Sequence, residues 1–207
     1  MGRRLGRAWY ARSADVLAPA LLGQVLVRHL PSGEFLRVRV VETEAYLPGD
    51  PASHAYRGPT QRNASMFDPG GHAYVYVVYG MHFCLNVVAG SAGEGAAVLV
   101  RAVEPLEGIE RMRSHRPGVG DRDLCRGPAR LAAALAVDRT LDGIDLTTSD
   151  TLWIEAGPSL EPEAIVSGPR IGVRAGVEHP WRFVEAGSRW ISRPAVTPRV
   201  RAGARRA

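Results

Sequence analysis

The sequence predicts a single α+β domain, built around a curved, largely antiparallel sheet that helices flank. Three observations support this class. Several short runs alternate apolar and polar residues at period two, the connections are rich in Gly (23) and Pro (15), and only short stretches have helical spacing. With 207 residues, 45% of them hydrophobic, the chain can bury a core without help from disulfides.

The first half of the chain predicts one helix and five strands. The apolar stretch Val16–Leu22, with Ser13 as helix N-cap, favours a short amphipathic helix. A signal peptide is the alternative, but Asp15 and Pro19 interrupt the apolar run. The predicted strands are, in order, Gln24–Leu30, Phe35–Glu44, Ala73–Val78, His82–Ala89 and Ala96–Val103.

Turn residues join these strands into hairpins, and the second half is more mixed. The turns are predicted at Pro31–Glu34 and at Tyr79–Met81. Helical spacing covers Leu106–His115, and Pro128 after Gly127 starts a helix that runs to about Val137. Further short strands are predicted at Trp153, Arg170–Arg174 and Trp181–Val184.

The predicted organisation is an N-terminal arm over residues 1–11, one main domain over 12–192 and a basic, disordered tail over 193–207. The tail contains Pro and lacks apolar periodicity. The segment Tyr46–Gly71 is irregular and long for a connection in a compact domain, yet it carries aromatic and apolar residues. A loop of this kind is usually functional.

The charge pattern excludes several mechanisms. The net charge is +5, and all 26 basic residues are arginine, so no lysine can form a Schiff base, hold pyridoxal phosphate or serve a Walker A motif. Arginine suits phosphate because guanidinium binds it in a bidentate fork. Two cysteines, Cys84 and Cys125, make no disulfide framework and favour a reducing compartment. No run approaches the roughly 20 apolar residues of a membrane span.

Two clusters could carry chemistry. Glu42 and Glu44 share one strand face where the strand meets the long loop, which suits a general base, although a solvated strand end is the alternative. Tyr79 lies at a predicted turn tip, after Tyr74 and Tyr76 on one strand face. An exposed aromatic there could enter a base stack as a wedge, whereas packing against the sheet is the alternative.

A metal site is an alternative interpretation of the histidines and cysteines. His82 and Cys84 share a strand face, but no CxxC or HExxH spacing accompanies them. The spacing therefore argues against a zinc site.

The order of motifs resembles the alkyladenine (3-methyladenine) DNA glycosylase family of the mammalian type over residues 12–192. The motifs that carry the resemblance are Val41–Leu47 (VETEAYL), Ser53-His54, Arg57-Gly58, Gln61–Asn63, Tyr74–Tyr76, Tyr79–Met81, Phe83–Asn86, Val98–Ala102, Val103–Gly108 and Asp123–Pro128. The resemblance implies a monomeric enzyme that excises alkylated or deaminated purines from duplex DNA, including 3-methyladenine, hypoxanthine and 7-methylguanine. It also implies that no metal or cofactor takes part. Because β-elimination needs an amine for a Schiff base and the chain has no lysine, we expect the strand to be left uncut at the abasic site.

The resemblance also assigns roles to individual residues. Glu44 matches the general base that activates water, and Arg101 matches the arginine beside that water. The predicted pocket for the flipped base is formed by Tyr46, His54, Tyr76 and Asn86. The predicted DNA contacts are Tyr79 as the wedge, Met81 beside it, and Arg57, Arg62, Arg126 and Arg130 toward phosphates.

Two departures from the family pattern concern DNA contacts. Tyr56 is an extra residue between His54 and Arg57, and His82 stands where a tyrosine is common. The expected setting is the bacterial cytoplasm, on the nucleoid when the protein is bound to DNA, with no membrane partner. The rival functions are a non-catalytic nucleic-acid binder and a metal-dependent hydrolase.

Overall fold

Eight strands form one curled antiparallel sheet that frames the molecule. The computed structural model describes residues 2–194. Its strands are β1 (Val25–His29), β2 (Phe35–Tyr46), β3 (Ala73–Val78), β4 (His82–Ala89), β5 (Ala96–Glu107), β6 (Leu152–Glu155), β7 (Ile165–Gly168) and β8 (Arg182–Glu185). The α+β class with a largely antiparallel sheet is confirmed.

Two strands of twelve residues, β2 and β5, lie at the centre of the sheet. The strand order is β3-β4-β5-β2-β1-β6, so β3 is an edge strand. Strand β2 pairs with β5 on one side. On its other side, β2 pairs first with β1 and then, over Glu42–Glu44, with β8. The carboxylate-bearing end of β2 therefore has a strand on each side, which explains why it is buried.

Helices cover one face of the sheet, and the functional residues occupy the other. The α-helices are α1 (Arg7–Tyr10), α2 (Ala14–Leu21), α3 (Ile109–His115) and α4 (Pro128–Ala134). The Thr43 hydroxyl donates to the Ala18 carbonyl oxygen of α2 at 2.9 Å. By the period of two, Glu42 and Glu44 point to the opposite face. Within residues 2–194, no helix has the length and apolar character needed to span a bilayer.

Two predicted elements need correction. The Arg170–Arg174 strand is wrong: Gly172 has φ +80°, and the Ile171 N–H donates to a carboxylate rather than to a neighbouring strand. The short strand β7 just before it carries only two apolar residues, too few for the sequence to reveal it. The solvated strand end at Glu42 and Glu44 is also wrong, because both carboxylates are fully buried.

The N-terminal residues pack into the main core. Leu5 and Tyr10 are buried within the same apolar cluster as α2 and the central strands. The arm over 1–11 and the domain over 12–192 stay a predicted division. Of the predicted basic tail, Arg193 and Pro194 accept hydrogen bonds from Arg182 through their carbonyl oxygens, and residues 195–207 lie outside the described residues.

One backbone crossing fixes α1 on the sheet. Gly70 donates its N–H to the Gly90 carbonyl oxygen at 3.0 Å, and Gly90 donates to the Tyr10 carbonyl oxygen at 3.1 Å. A Cβ on Gly70 would lie 2.6 Å from the Tyr10 oxygen and 2.8 Å from the Gly90 oxygen. We expect Gly70→Ala to lower the free energy of unfolding by about 1–3 kcal/mol, because backbone must shift to admit the methyl group.

Urea denaturation measures this effect, and Gly6→Ala is the matched control. A Cβ on Gly6 meets nothing within 4 Å, so that variant should stay within about 0.5 kcal/mol of the parent. Equal stabilities of the two variants would contradict the tight crossing.

Candidate active site

One cross-strand row carries the centre of the site. Glu44 on β2 lies opposite Leu99 on β5, which lies opposite Asn86 on β4, which lies opposite Tyr74 on β3. Residues directly opposite in antiparallel strands project on the same face. The register of four strands therefore brings together residues that are separated by up to 55 positions in sequence.

A β-bulge places Arg101 beside this row. Glu42 lies opposite Ala102, whereas the next residue, Thr43, lies opposite Val100. Arg101 is therefore the extra residue of β5. Bulges bend a strand and re-aim side chains, and here the guanidinium is directed between Glu42 and Glu44.

The Glu44 carboxylate accepts three hydrogen bonds from three elements. Arg101 Nη1 donates to Oε2 at 3.2 Å, and the Tyr46 hydroxyl donates to the same oxygen at 3.0 Å. The Ile171 backbone N–H donates to Oε1 at 2.7 Å. A carboxylate has about four acceptor positions, so these donors leave room for one more.

Burial raises the pKa of the Glu44 carboxyl above its ordinary value. The Arg101 charge, the Ile171 N–H and the Tyr46 hydroxyl oppose that rise, and the nearby Glu42 carboxylate adds to it. The pKa of the Tyr46 hydroxyl is also raised. Burial is the larger cause, and the adjacent Glu44 charge is the next. Tyr46 therefore stays a neutral hydrogen-bond donor.

A cavity of about 450 Å³ opens on this face of the sheet. That volume is within the range of small-molecule sites. Its lining includes Tyr46, His54, Tyr74, Tyr76, Asn86, Leu99, Arg101 and the segment 171–175. Glu44 does not border it, because Tyr46, Leu99, Arg101 and Ile171 cover the carboxylate.

Aromatic rings form one wall of the cavity. The His54 and Tyr76 rings meet edge to face with centroids 4.5 Å apart, and Tyr74 lies 5.4 Å from Tyr76. His54 Nδ1 is 2.8 Å from the Tyr74 hydroxyl oxygen. Partial desolvation, and then the charge of Arg62, lower the pKa of His54, so the ring is neutral at pH 7. The wall thus offers uncharged π-faces and edges to a ligand.

Asn86 is held by its cross-strand neighbour. Its Nδ2 donates to the Tyr74 carbonyl oxygen at 2.9 Å, and the side chain is buried where it borders the cavity. The hydrogen bond fixes the orientation of the amide. A ligand in the cavity therefore meets a rigid polar group at this position.

The tip of the β3–β4 hairpin presents a strained, exposed tyrosine at the rim of the cavity. Tyr79 has φ +52°, in the left-handed region, and 89% of its surface is exposed. Met81 beside it is 73% exposed. The left-handed region costs a non-glycine residue roughly 1–2 kcal/mol. The structure places this ring for something other than packing, so the packing alternative for Tyr79 is wrong.

The four predicted phosphate-binding arginines occupy different environments. Arg57 is exposed, and Arg62 is exposed with its guanidinium donating to the Val77 carbonyl oxygen at 3.1 Å. Arg126 and Arg130 both donate to the Asp123 carboxylate, at 3.2 and 3.0 Å. A phosphate at either of the latter two would compete with that aspartate.

Sequence reasoning missed several groups of the site. The Ile171 amide contacts Glu44 through backbone alone, which carries no side-chain signal. Arg170 is fully buried, ion-paired with Asp50, with its guanidinium 4.7 Å from the Tyr46 ring centroid. The available signal was the pair Arg170 and Arg174 in this otherwise apolar segment. Among residues 2–194, no three His, Cys, Asp or Glu side chains cluster as metal ligands would.

Comparison with known proteins identifies the family. The model of the methylpurine-DNA glycosylase family matches residues 8–189. The chain belongs to this family. It is therefore a DNA glycosylase, which confirms the enzyme class that the sequence predicts.

Individual relatives of this glycosylase come from bacteria and from a mammal. A protein of Burkholderia lata with the provisional name 3-methyladenine DNA glycosylase is 47% identical, over 93% of each chain. One of Carboxydothermus hydrogenoformans with the same provisional name is 47% identical, over 91% of this chain and 98% of its own. The mouse protein named DNA-3-methyladenine glycosylase is 49% identical, over 91% of this chain and 61% of its own.

The exposure of Tyr79 predicts that its ring contributes little to folding. We expect Tyr79→Ala to change the free energy of unfolding by less than about 0.5 kcal/mol. The matched variant Tyr74→Ala removes a buried ring of the same hairpin and should cost about 3–5 kcal/mol. Thermal denaturation of both variants checks this, and a large loss of stability in Tyr79→Ala would contradict it.

Proposed function

We propose that this glycosylase removes alkylated or deaminated purines, of the 3-methyladenine, hypoxanthine and 7-methylguanine class, from duplex DNA. The observation that carries the proposal is the buried Glu44–Arg101 pair beneath an aromatic cavity with an exposed tyrosine at its rim. The names of the bacterial and mouse relatives support the substrate class. The reaction leaves an abasic site.

The aromatic wall suits a purine that has left the base stack. The reacting atom of such a nucleotide cannot be reached inside a duplex, so the enzyme extrudes the nucleotide at a cost of a few kcal/mol. Tyr46, His54 and Tyr76 offer π-faces and edges to the extruded base. An alkylated purine carries positive charge, so its contact with the rings gains a cation–π attraction of about 0.5–2 kcal/mol.

The cavity also suits rejection of ordinary guanine. Asn86 is rigid because its Nδ2 is already engaged with the Tyr74 carbonyl oxygen. An exocyclic amine pressed against this amide would clash with it or leave a polar group unpaired. Ordinary guanine meets this penalty with a stable glycosidic bond, whereas 7-methylguanine carries the same amine but is cationic and leaves readily. Asn86 is therefore the proposed selectivity residue.

In the proposed chemistry, Glu44 takes a proton from water while the base departs. The bond between sugar C1′ and the purine nitrogen breaks, and a bond from C1′ to the water oxygen forms. The purine leaves with the bonding electron pair: a cationic purine leaves neutral, and hypoxanthine leaves as an anion that takes a proton from water. The transition state resembles an oxocarbenium ion, which the Glu44 carboxylate stabilises. The water takes the fourth acceptor position of that carboxylate.

This chemistry requires a small movement of the protein. Glu44 has no exposed surface, so no water can touch its carboxylate in this conformation. Tyr46 and Ile171 are the donors that cover it from the cavity side. In the proposal, one of them moves by the width of a water when the nucleotide enters.

The arginines complete the proposed DNA interface. Arg57 and Arg62 are exposed and reach phosphates directly, and Arg126 and Arg130 do so by exchanging the Asp123 carboxylate for phosphate. The proposal has one copy of the chain acting in the bacterial cytoplasm on duplex DNA, without metal or cofactor. Bacterial relatives support that setting.

We expect Glu44→Gln to abolish excision while DNA binding is retained. General-base catalysis is typically worth about 10²–10⁴-fold, and the lost charge near the oxocarbenium adds to that. The measurement is single-turnover release of hypoxanthine and 7-methylguanine from oligonucleotide duplexes, with binding measured separately.

The matched control for this experiment is Glu155→Gln. Glu155 is also buried and ion-paired, with Arg37, but it lies on β6, remote from the cavity. It should keep parental activity while folded. If Glu44→Gln retains more than about a tenth of the rate, another residue is the base. Binding without excision by the parent protein would favour the non-catalytic binder.

We expect Tyr79→Ala to weaken binding and excision on duplex DNA much more than on a single strand. Filling the gap left by the base recovers roughly 1–3 kcal/mol of stacking, and a single strand has no stack to repair. The comparison variant is Arg62→Ala, which should weaken binding to lesion-containing and normal DNA alike. It should also reduce the slope of log affinity against log salt concentration by about one. Equal losses of Tyr79→Ala on both substrates would defeat the wedge.

A further inference from the structure

Glu42 is the second buried carboxylate of β2, and every one of its contacts holds it in place. Arg182 Nε donates to Oε1 at 2.7 Å, and Arg101 Nε donates to the same oxygen at 3.3 Å. The Ser192 hydroxyl donates to Oε1 at 2.8 Å, and its backbone N–H donates to Oε2 at 2.5 Å. The carboxylate thus joins β2, β5, β8 and the C-terminal segment.

Glu42 and Glu44 hold opposite ends of one guanidinium. Arg101 gives its Nε to Glu42 and its Nη1 to Glu44. Arg101 is also the bulged residue of β5, without a partner residue opposite to fix its direction. Its side chain is therefore aimed by Glu42 on one side and by Glu44 on the other.

We propose that Glu42 is a positioning residue of the hydrolytic centre, which holds the Arg101 guanidinium toward Glu44 and the cavity. The inference rests on the proposed function of Glu44. Arg182 and Ser192 hold the Glu42 carboxylate in place. Because Arg182 also neutralises that carboxylate, Glu42 orients Arg101 without drawing it away from Glu44. Glu42 itself does not touch the substrate.

The charges around Glu44 give this role a measurable signature. Glu44 faces Arg101 from β5, Arg182 from β8 in direct register, and Glu42 and Tyr46 from its own strand, with Arg170 beyond Tyr46. The Glu42 charge raises the pKa of Glu44. In Glu42→Gln the lost charge and the freed Arg182 lower the pKa of Glu44, whereas an Arg101 guanidinium released from its anchor raises it, so the pH signature is read in a variant that keeps the charge.

The test is the pH profile of single-turnover release of 7-methylguanine from a duplex oligonucleotide. A cationic purine leaves without being protonated, so the acidic limb of the profile reports the ionisation of Glu44. The first variant is Glu42→Gln, in which the two opposing effects on the pKa of Glu44 leave the plateau rate as the readout. We expect the plateau rate to fall at least about tenfold, since misplacing a catalytic group by about 1 Å can cost about 10²-fold.

Glu42→Asp is the second variant, for the case in which the amide prevents folding. It keeps the charge but withdraws the carboxylate from Arg101 by one carbon. The plateau rate should fall about tenfold, and the midpoint should move up, because the Arg101 charge that lowers the pKa of Glu44 recedes. Glu155→Gln is again the control, with a changed melting temperature but parental rate and midpoint.

Parental plateau rates in both Glu42 variants, or in Glu42→Asp alone if Glu42→Gln does not fold, would overturn the proposal and leave Glu42 a purely structural anion. A parental midpoint in Glu42→Asp would overturn it as well. Either result leaves the proposed function standing, provided that Glu44→Gln is inactive. An active Glu44→Gln would instead remove the proposed function.

Discussion

Burial of two carboxylates on one strand is the constraint on which the site depends. An uncompensated buried charge costs several kcal/mol, so each carboxylate needs a cation and further donors nearby. Glu42 and Glu44 obtain them from Arg101, Arg182 and backbone N–H groups. The bulge in β5, the pairing of β8 with β2 and the docking of the C-terminal segment all serve to deliver those donors.

Strand register converts this charge cluster into the proposed catalytic arrangement. The row from Glu44 to Tyr74 crosses four strands and places the polar centre, the Asn86 amide and the aromatic wall on one face. If any of these strands slipped by one residue, the residue that it contributes to the row would point toward the helices instead. The apolar residues of the other face, such as Val98 and Val100, resist that slip because they fill the main core.

Much of the architecture could be read from the sequence because its strands alternate and its turns are marked by glycine and proline. The hairpin with Tyr79 at its tip has the predicted strand limits, Ala73–Val78 and His82–Ala89. Burial of Glu44 could not be read locally, because it depends on β8, nearly 140 residues later in the chain. The Ile171 amide was also out of reach, since a backbone donor has no residue type.

The edge strand β3 has a consequence for experiments at the DNA interface. The carbonyl oxygens of Val75 and Val77 accept hydrogen bonds from Arg139 and Arg62. Free edge carbonyls invite pairing with another chain, and these two guanidinium groups cover them. Removing them could cause self-association, and a weaker signal at high protein concentration would then reflect aggregation rather than lost phosphate contacts.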